Sequence, residues 1–299
     1  MHPLAETHHQ AGLQAVLLRA GLPRNWALGH FNISLVSGQD SETEPAVIRI
    51  PPEDIRNGGI GATGRIQAAL EDAFMLFIAV DSVRDIEIEA AALIVRIARG
   101  MNILTIAVSP RNLVASVWQS EARLGRAIEQ LSSVADSLLV LGDGGPDGSF
   151  DQALKRTCDL FAHAILGSSL IIPDFEDIRT VIEHGGLSFL SEGEAKGSER
   201  ARIAADEAIA RLTEIGVDMR DIPGLLCFIT VRSADRIFRE VREVKSALQT
   251  LLSKSIDLVF GTIDDEALGE SLRVTLVATG LHDGRSDTSL FGFNGGQLK

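Results

Sequence analysis

Hydrophobic residues in the first half of the chain fall into alternating helix-length and strand-length runs. The pattern predicts helices at 13–20, 65–71, 89–99 and 124–131. It predicts apolar strands at 31–36, 46–50, 75–80, 103–108 and 138–141. Residues 142–148, Gly-Asp-Gly-Gly-Pro-Asp-Gly, then form a turn-rich break. This alternation is typical of βαβ units on a parallel sheet.

After the break, long helices separate apolar strands. A helix is predicted at 150–166, and a proline-containing segment at 170–177 precedes a helix that opens at Ile178. Helices follow at 198–212 and 233–252, and strands at 224–231, 256–263 and 272–278. The predicted units are a Rossmann-like parallel-sheet domain at 1–148, a central helix and loop at 149–178, an α+β domain at 179–281 and a flexible tail at 282–299.

Composition narrows the function classes. The chain has 299 residues, 45% of them hydrophobic, and a net charge of −13, which opposes binding to nucleic acid and to anionic membranes. The two cysteines, Cys158 and Cys227, lie in apolar stretches, so neither a disulfide scaffold nor a thiolate metal site is expected. The N-terminus lacks the features of a secretion signal, and its adjacent His8 and His9 are interpreted as solvated tail. We expect a globular cytoplasmic protein without a metal.

The turn after the strand at 75–80 is where a phosphate-binding glycine loop belongs, and none is there. The positions in question are Val83, Arg84, Asp85, Ile86, Glu87, Ile88 and Glu89. β-branched residues resist the positive φ angles of such loops. The carboxylates repel an anion, since one like-charge pair at about 4 Å costs on the order of 4 kcal/mol at an effective dielectric near 20. Ser82 and Asp85 also fit a helix-capping pattern, and Arg84 has Glu87 or Glu89 available as ion-pair partners.

A second glycine element precedes the helix predicted at 65–71. Gly59, Gly61 and Gly64 satisfy G-x-G-x-x-G, and Asp81 lies where a ribose-binding acid belongs in a dinucleotide fingerprint. Against this interpretation, residues 51–57 separate the loop from the preceding strand, whereas the fingerprint requires direct entry. A tight loop that enters a helix explains the same glycines. In the 142–148 break, Asp143 and Asp147 are too few ligands for calcium.

Five segments resemble FtsZ and its tubulin relatives. Residues 74–108 resemble, without a gap, the stretch that carries the family signature Gly-Gly-Gly-Thr-Gly-Thr-Gly, which 83–89 replaces here. The segment 174–181, Asp-Phe-Glu-Asp-Ile-Arg-Thr-Val, is similar to the family's synergy loop. Residues 194–201, 261–268 and 272–280 are similar to three later stretches in the family's order. The resemblance implies a two-domain tubulin/FtsZ-like α/β fold, and the glycines at 58–64 look like a remnant of another phosphate-side loop.

The departures fall at the positions that contact nucleotide in the family. Besides the replaced signature, Leu154 follows Phe150 where the resemblance implies a guanine-reading asparagine, and Ile172 replaces the asparagine that opens the synergy loop. The helix predicted near 11–20 also leaves only residues 1–10 for the family's first strand and glycine loop, and they hold neither. We therefore expect no GTP, no other cofactor and no GTPase activity.

Two synergy-loop acids remain, Asp174 and Asp177. The resemblance implies that such acids reach into the nucleotide pocket of the next subunit, and paired carboxylates three residues apart can position or deprotonate water. Either acid can instead be a helix cap, and Asp177 is the favoured cap before Ile178.

These observations predict a protein that associates with an FtsZ-family protein or with itself through the Asp174 and Asp177 face. If this chain docks on the nucleotide-bearing end of an FtsZ subunit, it is expected to cap or modulate the filament. The other option is that the chain assembles with itself without nucleotide. The alternative class is a binder or enzyme for another small molecule that uses 59–64 and Asp81. In the tail, Phe291 and Phe293 either contact a partner or fold back on the second domain.

Overall fold

The computed structural model describes residues 14–19, 31–37, 47–50, 63–71, 73–80, 85–111, 114, 131, 133–142, 150–166, 169–233, 237–253 and 255–281. The strands in these ranges are β1 (Gln14–Arg19), β2 (Phe31–Ser37), β3 (Val47–Ile50), β4 (Met75–Ala79), β5 (Leu104–Pro110), β6 (Ser137–Leu141), β7 (Leu187–Lys196), β8 (Gly224–Val231), β9 (Asp257–Asp264) and β10 (Ser271–Leu281). The helices are α1 (Thr63–Ala69), α2 (Asp85–Gly100), α3 (Phe150–Leu166), α4 (Phe175–Ile182), α5 (Arg200–Glu214) and α6 (Phe238–Gln249), and a 3₁₀ turn spans Glu266–Leu268.

These strands form one continuous sheet in the order β3-β2-β1-β4-β5-β6-β7-β10-β8-β9. The strands β1, β4, β5, β6 and β7 run parallel, while β10 is antiparallel to both β7 and β8. Every residue of β4, β6 and β8 is buried, as expected for strands covered on both faces. Because β4, β5 and β6 are parallel, their carboxyl ends lie at one edge of the sheet.

Helices cover the two faces of the sheet and enclose two hydrophobic clusters. Alternate residues of β4 divide between them: Leu76 and Ile78 enter the first cluster, and Phe77 enters the second. The first cluster contains apolar residues of α1, α2, α5 and α6. The second contains apolar residues of α3 and α4. The ring centroid of Phe161 on α3 lies 5.4 Å from that of Phe77, with the rings tilted, and 5.8 Å from that of Phe228, edge-to-face. Each cluster includes residues from both halves of the sequence.

The alanine-rich face of α5 allows this helix to lie very close to the sheet. Ala201, Ala204, Ala205 and Ala208 are fully buried at helical spacing. Opposite them on β7, a Cβ at Gly193 would overlap the Ala204 carbonyl oxygen. Small side chains on both surfaces therefore bring the helix onto the β7–β10 pair.

The helix predicted at 13–20 is wrong, because this segment contains strand β1. Its backbone pairs in parallel with β4 and antiparallel with β2. A run of six to eight mostly apolar residues does not distinguish helix from strand by its spacing, and pairing to two neighbours decides the outcome. The expected lack of a first strand, which depended on that helix, is wrong as well.

The other predicted helices and strands either agree with the structure or differ from it by a few residues at their ends. The predictions for α3 and for β8 are confirmed to the residue. By contrast, α2 begins four residues earlier than predicted, α4 begins at Phe175 instead of Ile178, and α6 is shorter at both ends. The predicted helix at 124–131 lies outside the described residues except for Leu131, as does the 142–148 turn except for Gly142.

The described ranges contain neither a membrane-spanning helix nor a cluster of metal ligands. No helix there is both long and apolar enough to span a bilayer. No three His, Cys, Asp or Glu side chains in the same ranges converge as metal ligands would.

Candidate functional site: the acidic loop face

The loop between α3 and α4 is fastened to β9. The backbone N–H of Ile171 donates to Thr262 Oγ1 at 2.8 Å, and the N–H of Thr262 donates to the Ile171 carbonyl oxygen at 2.9 Å. The hydroxyl oxygens of Ser169 and Thr262 lie 2.9 Å apart. These bonds fix the path of the loop on both sides of Leu170.

Gly261, which precedes Thr262, allows the loop to lie close to β9. A Cβ at this position would lie 2.9 Å from Cδ1 of Phe228 and 3.2 Å from Cδ of Pro173. Pro173 is itself buried. The Gly-Thr pair of β9 therefore sets both the spacing and the hydrogen bonding of the loop.

Asp174 is the N-cap of α4. Its backbone is extended, with φ −66° and ψ 141°, and its Oδ1 accepts the N–H of Glu176 at 3.0 Å. The interpretation of Asp177 as the favoured cap is wrong. The reason is that α4 starts directly after the Pro-Asp pair, which places Asp177 within the first turn, where a carboxylate favours the positive end of the helix dipole.

Both acids line one open groove at this end of the molecule. The groove has a volume of about 420 Å³, with Asp174, Asp177 and Thr180 on one side and residues 257–260 of β9 on the other. Both carboxylates are exposed. Leu170 and Ile172 are also unusually open for apolar residues, at 40% and 50% exposed, and Ile172 lines the groove. We call Leu170, Ile172, Asp174 and Asp177 the acidic loop face.

The third acid of the groove has a partner. His184 Nε2 lies 2.8 Å from Asp257 Oδ2. A hydrogen bond to His184 fixes Asp257 at the edge of the groove, whereas Asp174 uses one carboxylate oxygen as a cap and Asp177 faces solvent. The carboxylates of the groove can accept hydrogen bonds from, or pair with cationic groups of, a molecule that covers the groove.

Helix α4 is also anchored to the first half of the chain. Arg179 donates from one guanidinium nitrogen to the carbonyl of Asn102 at 3.1 Å, and its Cζ lies 5.1 Å from the centroid of the Phe175 ring. The Phe175 ring in turn meets Phe74 edge-to-face at 4.8 Å. Asp174 and Asp177 therefore project from a helix held at several points.

The second predicted feature, the turn before α2, is only partly described. Val83 and Arg84 lie outside the described residues, as do Asp81 and Ser82. Positions 85–89, Asp85, Ile86, Glu87, Ile88 and Glu89, belong to α2. Ile88 is 3% exposed, whereas Glu89 points to solvent. The helix start predicted at 89 is wrong because the acidic segment itself forms the first turn, where carboxylates stabilise a helix.

The remaining predicted positions lie apart from the acidic loop face. Gly59 and Gly61 lie outside the described residues, and Gly64 is inside α1 with open space where a side chain would stand. Leu154 is buried in the second cluster, and Phe150 is partly buried and packs against that cluster. The tail residues Phe291 and Phe293 also lie outside the described residues.

The cysteines have no role in this face. Cys158 and Cys227 are both unpaired and buried. Burial raises the pKa of the Cys158 thiol to about 12, and burial also raises the pKa of Cys227. Thiols with raised pKa values are poor nucleophiles at neutral pH.

Sequence reasoning did not identify the exposure of Leu170 and Ile172 or the bonds to Thr262. The run Leu-Ile-Ile before Pro173 resembles an ordinary buried segment. The Gly-Thr pair at 261–262 is the sequence signal that could have predicted this support of the loop. Its resemblance to a stretch of FtsZ does not by itself indicate that role.

Comparisons with known proteins agree with this fold. Residues 186–282 match the family model described as FtsZ family, C-terminal domain. Cell division protein FtsZ of Neisseria gonorrhoeae is 28% identical over 234 residues, covering 73% of this chain and 59% of the relative. The same protein of Pseudomonas aeruginosa is 30% identical over 243 residues, covering 77% and 61%. The chain thus spans about three fifths of the length of these relatives.

Solved structures give the same result. An empty FtsZ dimer from M. jannaschii matches with a TM-score of 0.61 at 24% identity, covering 77% of this chain and 70% of that one. CetZ2 from Haloferax volcanii, in a GTPγS-bound protofilament, matches with a TM-score of 0.52 at 14% identity, covering 77% and 74%. The chain has the tubulin/FtsZ-like fold and belongs to the FtsZ/tubulin superfamily.

Proposed function

We propose that this chain is an FtsZ-like protein that does not bind GTP and acts by associating with other proteins through its acidic loop face. Its partner is an FtsZ-family subunit or a second copy of itself. The observation that carries the proposal is the exposure of Asp174 and Asp177 beside Leu170 and Ile172 on a loop fastened to β9.

The lack of GTP binding is supported by residues that the fold uses for other purposes. Ile88, which takes the place of the second threonine of the family signature, is buried and has no hydroxyl to offer a phosphate. Leu154, at the position of the guanine-reading asparagine in the family resemblance, is in the hydrophobic core and has no polar atom in its side chain. Both changes remove contacts that a guanine nucleotide would need.

Association is supported by the chemistry of the acidic loop face. Exposed apolar side chains beside charges are typical of protein contacts, in which buried anchors provide the free energy and a polar rim excludes water. Burial of Leu170 and Ile172 by a partner would contribute roughly 1 kcal/mol or more for each side chain. The anchoring of α4 by Arg179 lowers the ordering cost of binding, because the face is already held in place.

The test measures light scattering of an assembling FtsZ with and without this chain. Substoichiometric wild-type chain is expected to change filament mass. The variant Asp174→Asn/Asp177→Lys is expected to abolish this effect, since asparagine keeps the cap while the charge at 177 is reversed. The control is Asp206→Asn/Glu243→Lys, which makes the same change of charge at an exposed and a half-buried helical acid elsewhere.

An unchanged effect in the Asp174→Asn/Asp177→Lys variant would contradict the proposal. Size-exclusion chromatography with light scattering then separates the two partners. Concentration-dependent polymers without GTP support self-assembly, which needs on the order of 1,000 Å² of complementary surface. A monomer or dimer that still alters FtsZ assembly supports capping.

A further inference from the structure

Strand β9 is the last strand of the sheet that the described residues form, so one of its two edges has no neighbouring strand. Its other edge pairs in parallel with β8 along the whole strand. An open edge presents unpaired backbone N–H and C=O groups, and an extended segment of another chain can bind to them as a further strand. The parts of the chain that cover this edge therefore decide whether a partner can use it.

Alternate residues of β9 point their backbone groups to opposite edges of the strand. The N–H of Asp257 donates to the Pro223 carbonyl oxygen at 2.9 Å, so the odd-numbered residues of β9 face β8. The N–H of Thr262 donates instead to the carbonyl oxygen of Ile171, in the loop between α3 and α4. Even-numbered residues therefore face the open edge, and the loop occupies that edge at Thr262.

Leu258 and Phe260 have the same orientation as Thr262, but the loop makes no hydrogen bond to them. Beyond Ile171 the loop passes beside Gly261, and the chain then enters α4. Within the described ranges, no hydrogen bond joins the outward N–H or C=O groups of Leu258 and Phe260 to another residue. Both side chains are half-buried. Two N–H donors and two C=O acceptors are thus available along a short stretch of edge.

The two faces of the sheet differ in chemistry beside this edge. Leu258 and Phe260 pack against the first hydrophobic cluster, whereas Val259 packs against the second, on the side of α4. On that side Asp174 and Asp177 line the groove and are exposed. A strand added at the edge alternates its side chains between the two faces. Every second residue would lie beside Leu258 and Phe260, and the residues between them would face the two carboxylates.

The carboxylates favour a basic segment as the occupant over a second copy of this chain. Lysine or arginine at alternate positions of the added strand would pair with Asp174 and Asp177. A second copy, paired through its own β9 across a two-fold axis, would bring its two carboxylates to the same face of the joined sheet, where like charges repel. The net charge of −13 on each chain adds to this repulsion.

We propose that the open edge of β9 binds an extended segment of the partner protein as an added strand, in which basic and apolar side chains alternate. The segment bonds to the backbone of Leu258 and Phe260, and its apolar residues pack against these two side chains. Its basic residues pair with Asp174 and Asp177. This inference rests on the association proposed for the acidic loop face, and it specifies how the partner is held there.

The probe is a fluorescently labelled octapeptide in which lysine and valine alternate. Its anisotropy is measured with the full chain at physiological ionic strength, which screens charges farther apart than about 8 Å. We expect saturation with a Kd below about 1 mM.

Two further peptides separate backbone pairing from attraction between charges. One carries an N-methyl group on every valine and the other on every lysine, so both keep the charge of the probe. The amides of alternate residues point to opposite edges of a strand. One N-methylated peptide is therefore expected to lose affinity about tenfold or more, and the other to retain it.

Variants of the chain locate the bound peptide. Phe260→Pro removes an outward N–H and no bond to β8, and edge strands tolerate proline in this orientation. It is expected to weaken binding of the probe about tenfold, because one bond is lost and the ring obstructs the added strand. The control Phe260→Ala also loses the aromatic ring but keeps the N–H, so it is expected to bind severalfold more tightly than Phe260→Pro. Thermal melting checks that both variants are folded.

Loss of affinity in only one N-methylated peptide, with weaker binding to Phe260→Pro than to Phe260→Ala, supports the proposal. Equal affinities of all three peptides would overturn it, since binding would then reflect charge alone. Absence of saturation by the probe would also overturn it, as would a dimer of this chain that Phe260→Pro dissociates. The N-methylated peptides test the unaltered chain, so the proposal stays testable if Phe260→Pro is unstable.

The light-scattering assay with FtsZ separates this inference from the proposed function. If Asp174→Asn/Asp177→Lys abolishes the effect on assembly and Phe260→Pro does not, association occurs without an added strand, and only this inference fails. If Asp174→Asn/Asp177→Lys leaves the effect unchanged, the proposed function fails and the inference fails with it. Loss of the effect in both variants, with Phe260→Ala still active, supports both.

Discussion

The acidic loop face and the first turns of α2 both lie in segments that resemble FtsZ, and they differ in how their side chains are packed. At the loop, Asp174 and Asp177 keep exposed carboxylates on a backbone held by Thr262. At α2, residues that resemble a phosphate loop in position have become part of a helix, and Ile88 is buried. The comparison teaches that the accessible side chains of a segment, and not its place in the fold alone, decide what the segment can bind.

The largest expected effect tests the packing of α2. Ile88→Ala is expected to lower the free energy of unfolding by about 2 to 4 kcal/mol, since it leaves a cavity at a site that is 3% exposed. Urea denaturation followed by circular dichroism measures the change. The neighbouring Glu89→Ala, at an exposed position of the same helix, is expected to change it by less than about 0.5 kcal/mol. Similar losses in both variants would show that α2 is not packed as described.

The next prediction concerns the support of the acidic loop face. Gly261→Ala is expected to cost about 1 to 3 kcal/mol, because its new methyl group meets Phe228 and Pro173. It is also expected to raise amide hydrogen exchange at Ile171, which bonds to Thr262. The control Gly100→Ala adds a methyl group at a position with nothing within 4 Å. Unchanged exchange at Ile171 in Gly261→Ala would contradict the proposed support.

A smaller effect is expected from the cap. Asp174→Ala is expected to lower the free energy of unfolding by about 1 kcal/mol, and Asp174→Asn to leave it nearly unchanged, because asparagine caps as well as aspartate. Chemical denaturation of both variants gives the comparison. If Asp177→Ala cost more than Asp174→Ala, the assignment of the cap would be wrong.

The smallest expected effect depends on pH. Burial tends to raise the pKa of Glu194, but hydrogen bonds from Arg273 and Ser271 together with the positive charges of Arg273 and Lys196 outweigh this and hold the pKa below its ordinary value. The pair therefore stabilises the fold above the pKa of an unfolded glutamate, and this contribution disappears as pH falls through the lower folded value. Glu194→Gln is expected to reduce the fall in stability between neutral and acid pH by a few tenths of a kcal/mol, since the pair is partly exposed. An identical pH profile for the variant and the wild type would contradict the role of this pair.

The sequence predicted most elements in both halves of the fold, but it predicted no strand at 187–196, where β7 lies. Helix α3 and strand β8 were placed to the residue because their apolar patterns are long or bounded by clear turn residues. The helix prediction for β1 is wrong because a short apolar run fits either state, and pairing with β2 and β4 decides between them. Pairing between distant segments is not visible in local spacing.

The candidate site was predicted only in part. The sequence identified Asp174 and Asp177 as neighbours at a helix start, which the groove brings together, but it assigned the cap to the wrong acid. It did not identify the open side chains of Leu170 and Ile172, because their exposure depends on contacts between elements far apart in the chain.

Calorimetric titration of the full chain with GTP and magnesium tests the central claim most directly. The account predicts no saturable heat at micromolar GTP. Saturation of the wild-type chain at micromolar GTP would contradict it.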